Sequence, residues 1–287
     1  MTTKKHNTIE HVSSELEKVG YRPRREEAYA LASLLGIDQH GSKALLVEGP
    51  PGVGKTFLAE SLSKILKAHY LVHLCHTWSD DHEFFAGIHV PAVIAKDIPN
   101  IPKMGILTQA AIKSQTVKTV LCLDEIDKTP TRVHNLLFTF LQDGICQIGP
   151  GNYVQAKLEN LITVITSNKE TTLSEPLLRR CRRLEIKPLP NDVLDDLIQK
   201  GTGISLSMAA WIRKFALELN AKDESSPVSP QELINLTKEI MHIAQSEGDV
   251  KESFKSWVMK TDEGKALLGN YAENYKNLWT MVEQARK

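Results

Sequence analysis

Leu45-Leu46-Val47-Glu48-Gly49-Pro50-Pro51-Gly52-Val53-Gly54-Lys55-Thr56 decides how the rest of the chain is read. A short apolar run ends in a Gly/Pro-rich turn, and Phe57-Leu58-Ala59-Glu60-Ser61-Leu62 then continues as a helix. Gly49-x-x-x-x-Gly54-Lys55-Thr56 is a complete P-loop, set between a strand and a helix as that motif requires. Its glycines let the backbone turn tightly and aim successive N–H groups at phosphate oxygens. The positive end of the following helix adds to that field. Gly49, Pro50, Pro51, Gly52, Val53, Gly54, Lys55, Thr56 and Phe57 are therefore the expected nucleotide-binding residues. Lys55 reaches the β- and γ-phosphates in this reading, and the Thr56 hydroxyl sits on Mg²⁺. An ordinary strand–turn–helix has no use for Lys55 and Thr56.

The 287 residues suffice for one α/β domain and a smaller second one. Lys plus Arg and Asp plus Glu both number 35, so no bulk charge points to nucleic acid or an anionic membrane. Cys75, Cys122, Cys146 and Cys181 are far apart and lie mostly in apolar runs, as buried thiols do in a reducing compartment. Met1 to Thr8 has no apolar leader and no run approaches a membrane span, so the expectation is a cytoplasmic protein.

Residues 8–36 read as two helical pieces broken at Gly20-Tyr21-Arg22-Pro23, the second carrying Ala28, Leu31, Ala32 and Leu35 at helical spacing. Arg22, Arg24 and Arg25 there mark a solvated helix face, in preference to an approach to nucleotide or nucleic acid. His69 to His76 alternates as a strand. His69, His73, Cys75, His76, His82 and His89 match no paired metal-ligand spacing, so edge-of-sheet histidines are the better reading. Residues 86–105 hold Gly87, Pro91, Pro99, Pro102 and Gly105, which suggests a loop or hairpin outside the main sheet. Met104 to Ser114 then reads as a helix.

Thr119-Val120-Leu121-Cys122-Leu123 is the pattern of a buried parallel strand, and it delivers Asp124 and Glu125 to its C-terminal end, where open α/β sheets bind ligands. Asp124 suits the Mg²⁺ shell, and Glu125 a water aimed at the γ-phosphate. The competing reading is that Asp124, Glu125 and Asp127 only cap a helix. Arg132 to Leu141 is a helix, and residues 144–157 read as a hairpin. Leu161 to Thr166 is another buried strand closed by Ser167-Asn168; Asn168 either holds a water or a phosphate oxygen, or starts a turn. Arg179, Arg180, Arg182 and Arg183 precede a last strand at Leu184-Glu185-Ile186 and are too many for a satisfied core. They are a nucleic-acid patch, a solvated surface, or charge held for a neighbouring subunit's phosphates.

Pro188-Leu189-Pro190-Asn191 marks a boundary between domains at 1–189 and 190–287. Beyond it, helical patterns run through 192–200, 207–220, 230–246, 250–268 and 270–286, with Ser229-Pro230-Gln231-Glu232 as a capped helix start. Trp257, Tyr271, Tyr275 and Trp279 read as core or interface anchors rather than a base-stacking platform.

P-loop, acidic strand end, polar strand end and arginine cluster, in this order, resemble the AAA+ ATPases, and specifically their MoxR-type and dynein-related branch. Gly49 to Thr56 is similar to that branch's loop, and Leu123-Asp124-Glu125-Ile126-Asp127-Lys128 to its Walker B segment. Glu83-Phe84-Phe85-Ala86-Gly87 resembles the stretch before the helix-2 insertion, here about residues 88–104, and 145–157 falls at the pre-sensor-1 hairpin. The resemblance implies a P-loop NTPase three-layer α/β sandwich with a parallel sheet, followed by a small all-α lid. It also implies a homo-hexameric ring with ATP and Mg²⁺ at subunit interfaces. By position it makes Asn168 sensor 1 and Arg180 the finger supplied in trans, with Arg179 in reserve. Gln231 stands where the branch often has the sensor-2 arginine, which leaves a charge missing from the lid.

The function these features imply is Mg-dependent ATP hydrolysis coupled to remodelling or assembly of a separate partner protein, as a MoxR-like chaperone. The rival is an ATPase acting on nucleic acid, such as a helicase loader or a restriction or defence component, which the neutral charge disfavours. A third reading, a scaffold that binds ATP without turning it over, follows from Gln231 and is opposed by Glu125 and Arg180.

Overall fold

The chain opens with two helices, α1 (Ile9–Lys18) and α2 (Arg25–Gly36), before the first strand, β1 (Lys43–Glu48). α3 (Lys55–Leu66), β2 (His69–Leu74) and the short α4 (Asp81–Phe84) follow, then a two-stranded antiparallel ribbon of β3 (Ala86–Ile88) and β4 (Pro102–Met104). Next come α5 (Ile106–Ser114), β5 (Thr119–Asp124), a 3₁₀ turn at Ile126–Lys128 and α6 (Thr131–Asp143). A hairpin of β6 (Ile145–Gly149) and β7 (Asn152–Gln155), then β8 (Leu161–Ser167), α7 (Glu175–Leu178) and β9 (Arg182–Glu185), complete this part. The computed structural model describes residues 8–36, 43–88, 102–149, 152–223 and 227–286. It divides into two compact units: Met1–Pro50 with Gly54–Ile186, and Lys187–Lys287 with Pro51–Val53.

In the first unit the main sheet runs β2-β5-β8-β1-β9, and every pairing in it is parallel. That order puts the C-terminal ends of β1, β8 and β5 side by side. Its three central strands are buried almost from end to end, as the continuous apolar runs require of a sheet covered on both faces. β2 is an edge strand of mixed exposure, which is where the histidine-rich alternation placed it. Leu121, Leu123, Phe140 and Ile165 lie in the core on one face, with Leu107 of α5 and Val133 and Leu137 of α6. This is the α/β architecture with a parallel sheet expected from the sequence.

Two local readings in this unit are corrected. Met104 closes β4, and the helix begins at Ile106 with Gly105 as its cap. A Cβ at Gly105 would meet the Phe84 carbonyl carbon at 2.4 Å, so the chain passes too closely there for a side chain. The last strand starts at Arg182, not Leu184, because Leu45 and Leu46 of β1 take Arg182 and Arg183 as register partners. Of the expected insertion at about 88–104, residues 89–101 lie outside the described residues.

The second unit is helical: α8 (Asn191–Thr202), α9 (Leu206–Lys222), α10 (Pro230–His242), α11 (Glu247–Trp257), α12 (Asp262–Leu267) and α13 (Ala272–Ala285). Phe215 is the hub of its core, with the rings of Trp211, Phe254, Tyr271 and Tyr275 at centroid distances of 4.9–5.7 Å. Trp257 and Trp279 pack against the same cluster, so all four C-terminal aromatics serve the core. Ser229 and Glu232 form the reciprocal capping box expected at the start of α10.

The helix expected over 250–268 is two helices, because the buried Asp223 carboxylate captures the chain between them. Asp223 accepts from Lys260 N at 2.8 Å, Thr261 N at 3.2 Å and Thr261 Oγ1 at 2.7 Å. Thr261 Oγ1 in turn accepts from Gly264 N at 3.0 Å and caps α12. A Cβ at Gly264 would lie 1.6 Å from Asp223 Oδ1. Gly264→Ala gains about 1 kcal/mol of helix propensity but displaces a carboxylate whose hydrogen bonds contribute about 1.5–3 kcal/mol each. Urea unfolding of the full chain, followed by tryptophan fluorescence, is expected to show a net loss of about 1–3 kcal/mol; equal or greater stability would contradict this account of the break.

Candidate active site

β1 ends at Glu48, and the P-loop follows directly. Gly52 and Gly54 take φ values of 77° and 96°, the left-handed region that glycine enters without a Cβ penalty. Gly54 is the N-cap of α3, so the loop delivers Lys55 and Thr56 as the first residues of that helix. Lys55 is buried at 6% exposure. Its ammonium donates to Gly49 O at 2.8 Å, Pro50 O at 2.9 Å and Asn168 Oδ1 at 2.6 Å. Burial pushes its pKa below the ordinary lysine range, against the opposing pull of Asp124, Asp127, Glu125 and Glu170.

The acids sit two strands away in the sheet. Asp124 closes β5, and its Oδ1 accepts from Thr56 Oγ1 at 2.8 Å and from Thr166 Oγ1 at 2.6 Å. Thr166 Oγ1 also accepts from Glu125 N at 2.9 Å, so one hydroxyl of β8 orders both acids. Glu125 adopts φ 58°, ψ 47°, a left-handed conformation that costs a non-glycine residue about 1–2 kcal/mol. The hydrogen bond to Thr166 helps hold it there. Asn168 Nδ2 donates to Glu125 Oε1 at 3.2 Å, while its Oδ1 accepts from Lys55. Asn168 thus bridges the P-loop lysine and the second acid. Burial raises the Glu125 pKa, but hydrogen bonds from Lys128 and Asn168 outweigh it and hold the carboxyl below the usual range.

Asp127 is buried, and its Oδ2 accepts from Asn168 N at 3.1 Å and Glu170 N at 3.0 Å. It fixes the loop that carries Asn168. Reading Asp127 as a helix cap misses this, although the Asp-Glu-x-Asp spacing holds the signal. Thr166 is missed because a threonine in an apolar strand looks like packing. Tyr21 is a third omission: its ring lies 5.8 Å from that of Phe57, and a Cβ on Gly54 would meet it at 3.9 Å. The Tyr21 hydroxyl donates to the buried Glu27 at 2.9 Å, which fixes the ring beside the P-loop.

The arginines stand apart from this network. Arg180 donates to Pro176 O and Gln142 Oε1, each at 2.9 Å, and its guanidinium lies 5.0 Å from the Phe138 ring centre. Arg179 pairs with Glu175 at 3.5 Å on the surface. Arg182 donates to Ser33 Oγ at 2.7 Å and lies over Tyr29, so it braces β9 against α2. Gln231 in the helical unit donates to Asn235 Oδ1 at 3.0 Å.

The histidines belong to the edge of the first unit. His73 Nε2 lies 3.5 Å and His76 Nε2 3.1 Å from Glu83, and His82 Nδ1 lies 3.0 Å from Ala86 O. Among the described residues the group with metal-like spacing is Asp80, Asp81 and His82, and Asp80 already caps α4. His89 lies outside the described residues.

An AAA domain of the dynein-related subfamily matches residues 44–181. The Lon protease of Campylobacter jejuni is 34% identical over 136 residues, which cover 44% of this chain and 16% of that protein. The Lon protease of Chlamydia trachomatis is 28% identical over 212 residues, covering 70% of this chain and 24% of that one. The chain thus spans less than a quarter of the length of these two relatives. Among solved structures, a mutant of Thermotoga maritima RuvB superposes with a TM-score of 0.49 at 18% identity, covering 92% of this chain and 70% of that one. No helix among the described residues is long and apolar enough to cross a membrane. The P-loop and paired acids of this sheet fall inside the matched segment, so residues 44–181 carry an AAA domain similar to the dynein-related subfamily of the AAA+ ATPases.

Proposed function

We propose that this ATPase works as a ring, with each active site completed by a neighbouring subunit, and that its cycle rearranges a separate partner protein in the manner of MoxR-like chaperones. The observation that supports hydrolysis at this site is the continuous network Thr56–Asp124–Thr166–Glu125–Asn168–Lys55, which joins three adjacent strand ends into one constellation.

The P-loop backbone and Lys55 bind the β- and γ-phosphates. Tyr21 and Phe57 offer an apolar surface beside that loop for the base. The Thr56 hydroxyl and the Asp124 carboxylate converge at 2.8 Å, an all-oxygen pair suited to a hard cation, so these two residues would hold Mg²⁺. When bound, the ion neutralises phosphate charge. Glu125 accepts a proton from the attacking water as the water oxygen bonds to the γ-phosphorus and the bond to the β-phosphate oxygen breaks, releasing ADP and phosphate. Asn168 orients that water or the γ-phosphate.

Charge explains the need for a neighbour. Among the described residues, the cations hydrogen-bonded within this network are Lys55 and Lys128, and none is an arginine. Arg180 lies against α6 instead, its guanidinium held by the neutral acceptors Pro176 O and Gln142 Oε1 and by the Phe138 ring, with no carboxylate among these partners. On this reading Arg180 gives up those contacts to stabilise transition-state charge in the next subunit, which makes hydrolysis depend on assembly. Arg179 is the reserve for that role.

Glu125→Gln is expected to retain ATP binding and lose at least about 100-fold in kcat, the span of a general base; turnover near the parent rate would place the base elsewhere. Arg180→Ala is expected to lower kcat by about 10³. Mixing it with Lys55→Ala restores activity, because an Arg180→Ala subunit keeps a competent site and a Lys55→Ala subunit still lends its arginine. Mixtures no faster than either variant alone would remove Arg180 from the finger role. A pull-down with Glu125→Gln in ATP tests the partner: capture of a specific protein is expected, whereas stimulation of the parent ATPase by DNA or RNA with a steep salt dependence would favour the nucleic-acid reading.

A further inference from the structure

Both oxygens of the Glu125 carboxylate carry a donor. Asn168 Nδ2 reaches Oε1 at 3.2 Å, and the Lys128 ammonium lies 2.7 Å from Oε2. Lys128 belongs to the 3₁₀ turn that starts from the left-handed Glu125, and its own N–H donates to Glu125 O at 3.0 Å. In a 3₁₀ turn the side chains three residues apart eclipse one another, so the backbone itself sets the ammonium beside the carboxylate. An ion pair of this spacing on a solvated helix face does little. Here the acid is only 29% exposed, and its other oxygen is one hydrogen bond from the residue that holds Lys55.

Taking Glu125 as the base, we propose that Lys128 is a positioning residue that restrains it: water activation requires the Lys128–Glu125 pair to part, so Lys128 sets the unstimulated rate low. The lone pairs of Oε2 that would take the water's proton point at an ammonium while the pair is closed. Asn168 occupies the other oxygen, Oε1, so while the ion pair is closed neither oxygen faces the water without a donor already on it. Whatever draws Lys128 away, whether a neighbouring subunit or a bound partner, thereby raises turnover without touching the P-loop. Lys128 is 38% exposed and so accessible to such a contact.

Steady-state ATP hydrolysis by the full chain tests this with Lys128→Met, Lys128→Gln and Lys128→Arg. The two neutral variants are expected to raise kcat about two- to five-fold, the range of a partly screened ion pair, with KM for ATP changed less than about twofold. Lys128→Arg keeps the pair and lacks the gain. A kcat at or below the parent in both neutral variants overturns the proposal, as does an Arg variant as fast as the Met variant. The double variant Glu125→Gln with Lys128→Met separates the two assignments. Turnover as low as in Glu125→Gln alone keeps Glu125 as the base, so the single variants then judge Lys128. Turnover near the parent rate overturns both, since nothing would remain for Lys128 to restrain.

Discussion

Two hydroxyls converge on a single carboxylate oxygen, and the site depends on that convergence. Thr56 arrives from the first turn after the P-loop and Thr166 from the middle of the sheet, and both donate to Oδ1 of Asp124. The strand order is what brings both within reach. β8 pairs with β1 on one side and β5 on the other, so the loop after β1 and the acid at the end of β5 flank the same strand. The sheet order is what turns three separate sequence motifs into one site.

Electrostatics explains why the arrangement is polar yet ordered. Burial disfavours the Lys55 cation, and a buried charge left unpaired would shift its pKa or force the loop open. Two backbone carbonyls and the Asn168 amide supply its hydrogen bonds, and four carboxylates supply countercharge. Asp127 belongs to the same account from below, because a buried carboxylate accepting two backbone N–H groups keeps the Asn168 loop in register. The site is therefore a set of mutual dependencies in which a loss at one residue exposes an unsatisfied partner at another.

How much of this was legible in the sequence follows from the range of each interaction. The P-loop was readable because its conformation is dictated within eight residues, by glycines that must enter positive φ and by a helix that starts where Lys55 stands. The buried strands were readable because parallel strands covered on both faces need unbroken apolar runs. Thr166, Asp127 and Tyr21 were not, since each acts through a partner distant in sequence, and the residue type alone looks like packing or capping. The break in the 250–268 helix was hidden for the same reason, its cause being Asp223, the residue that caps the end of α9. Arg182 and Arg183 looked like part of one arginine cluster until pairing with β1 drew them into the sheet.

Binding of Mg·ATP to the intact chain, followed by titration calorimetry, tests the central claim most directly. One nucleotide per chain is expected, with binding lost in Lys55→Ala because the cradle then lacks the cation that meets the phosphates. Equal affinity in the parent and in Lys55→Ala would contradict it, and would separate the P-loop from the acids that the sheet sets beside it.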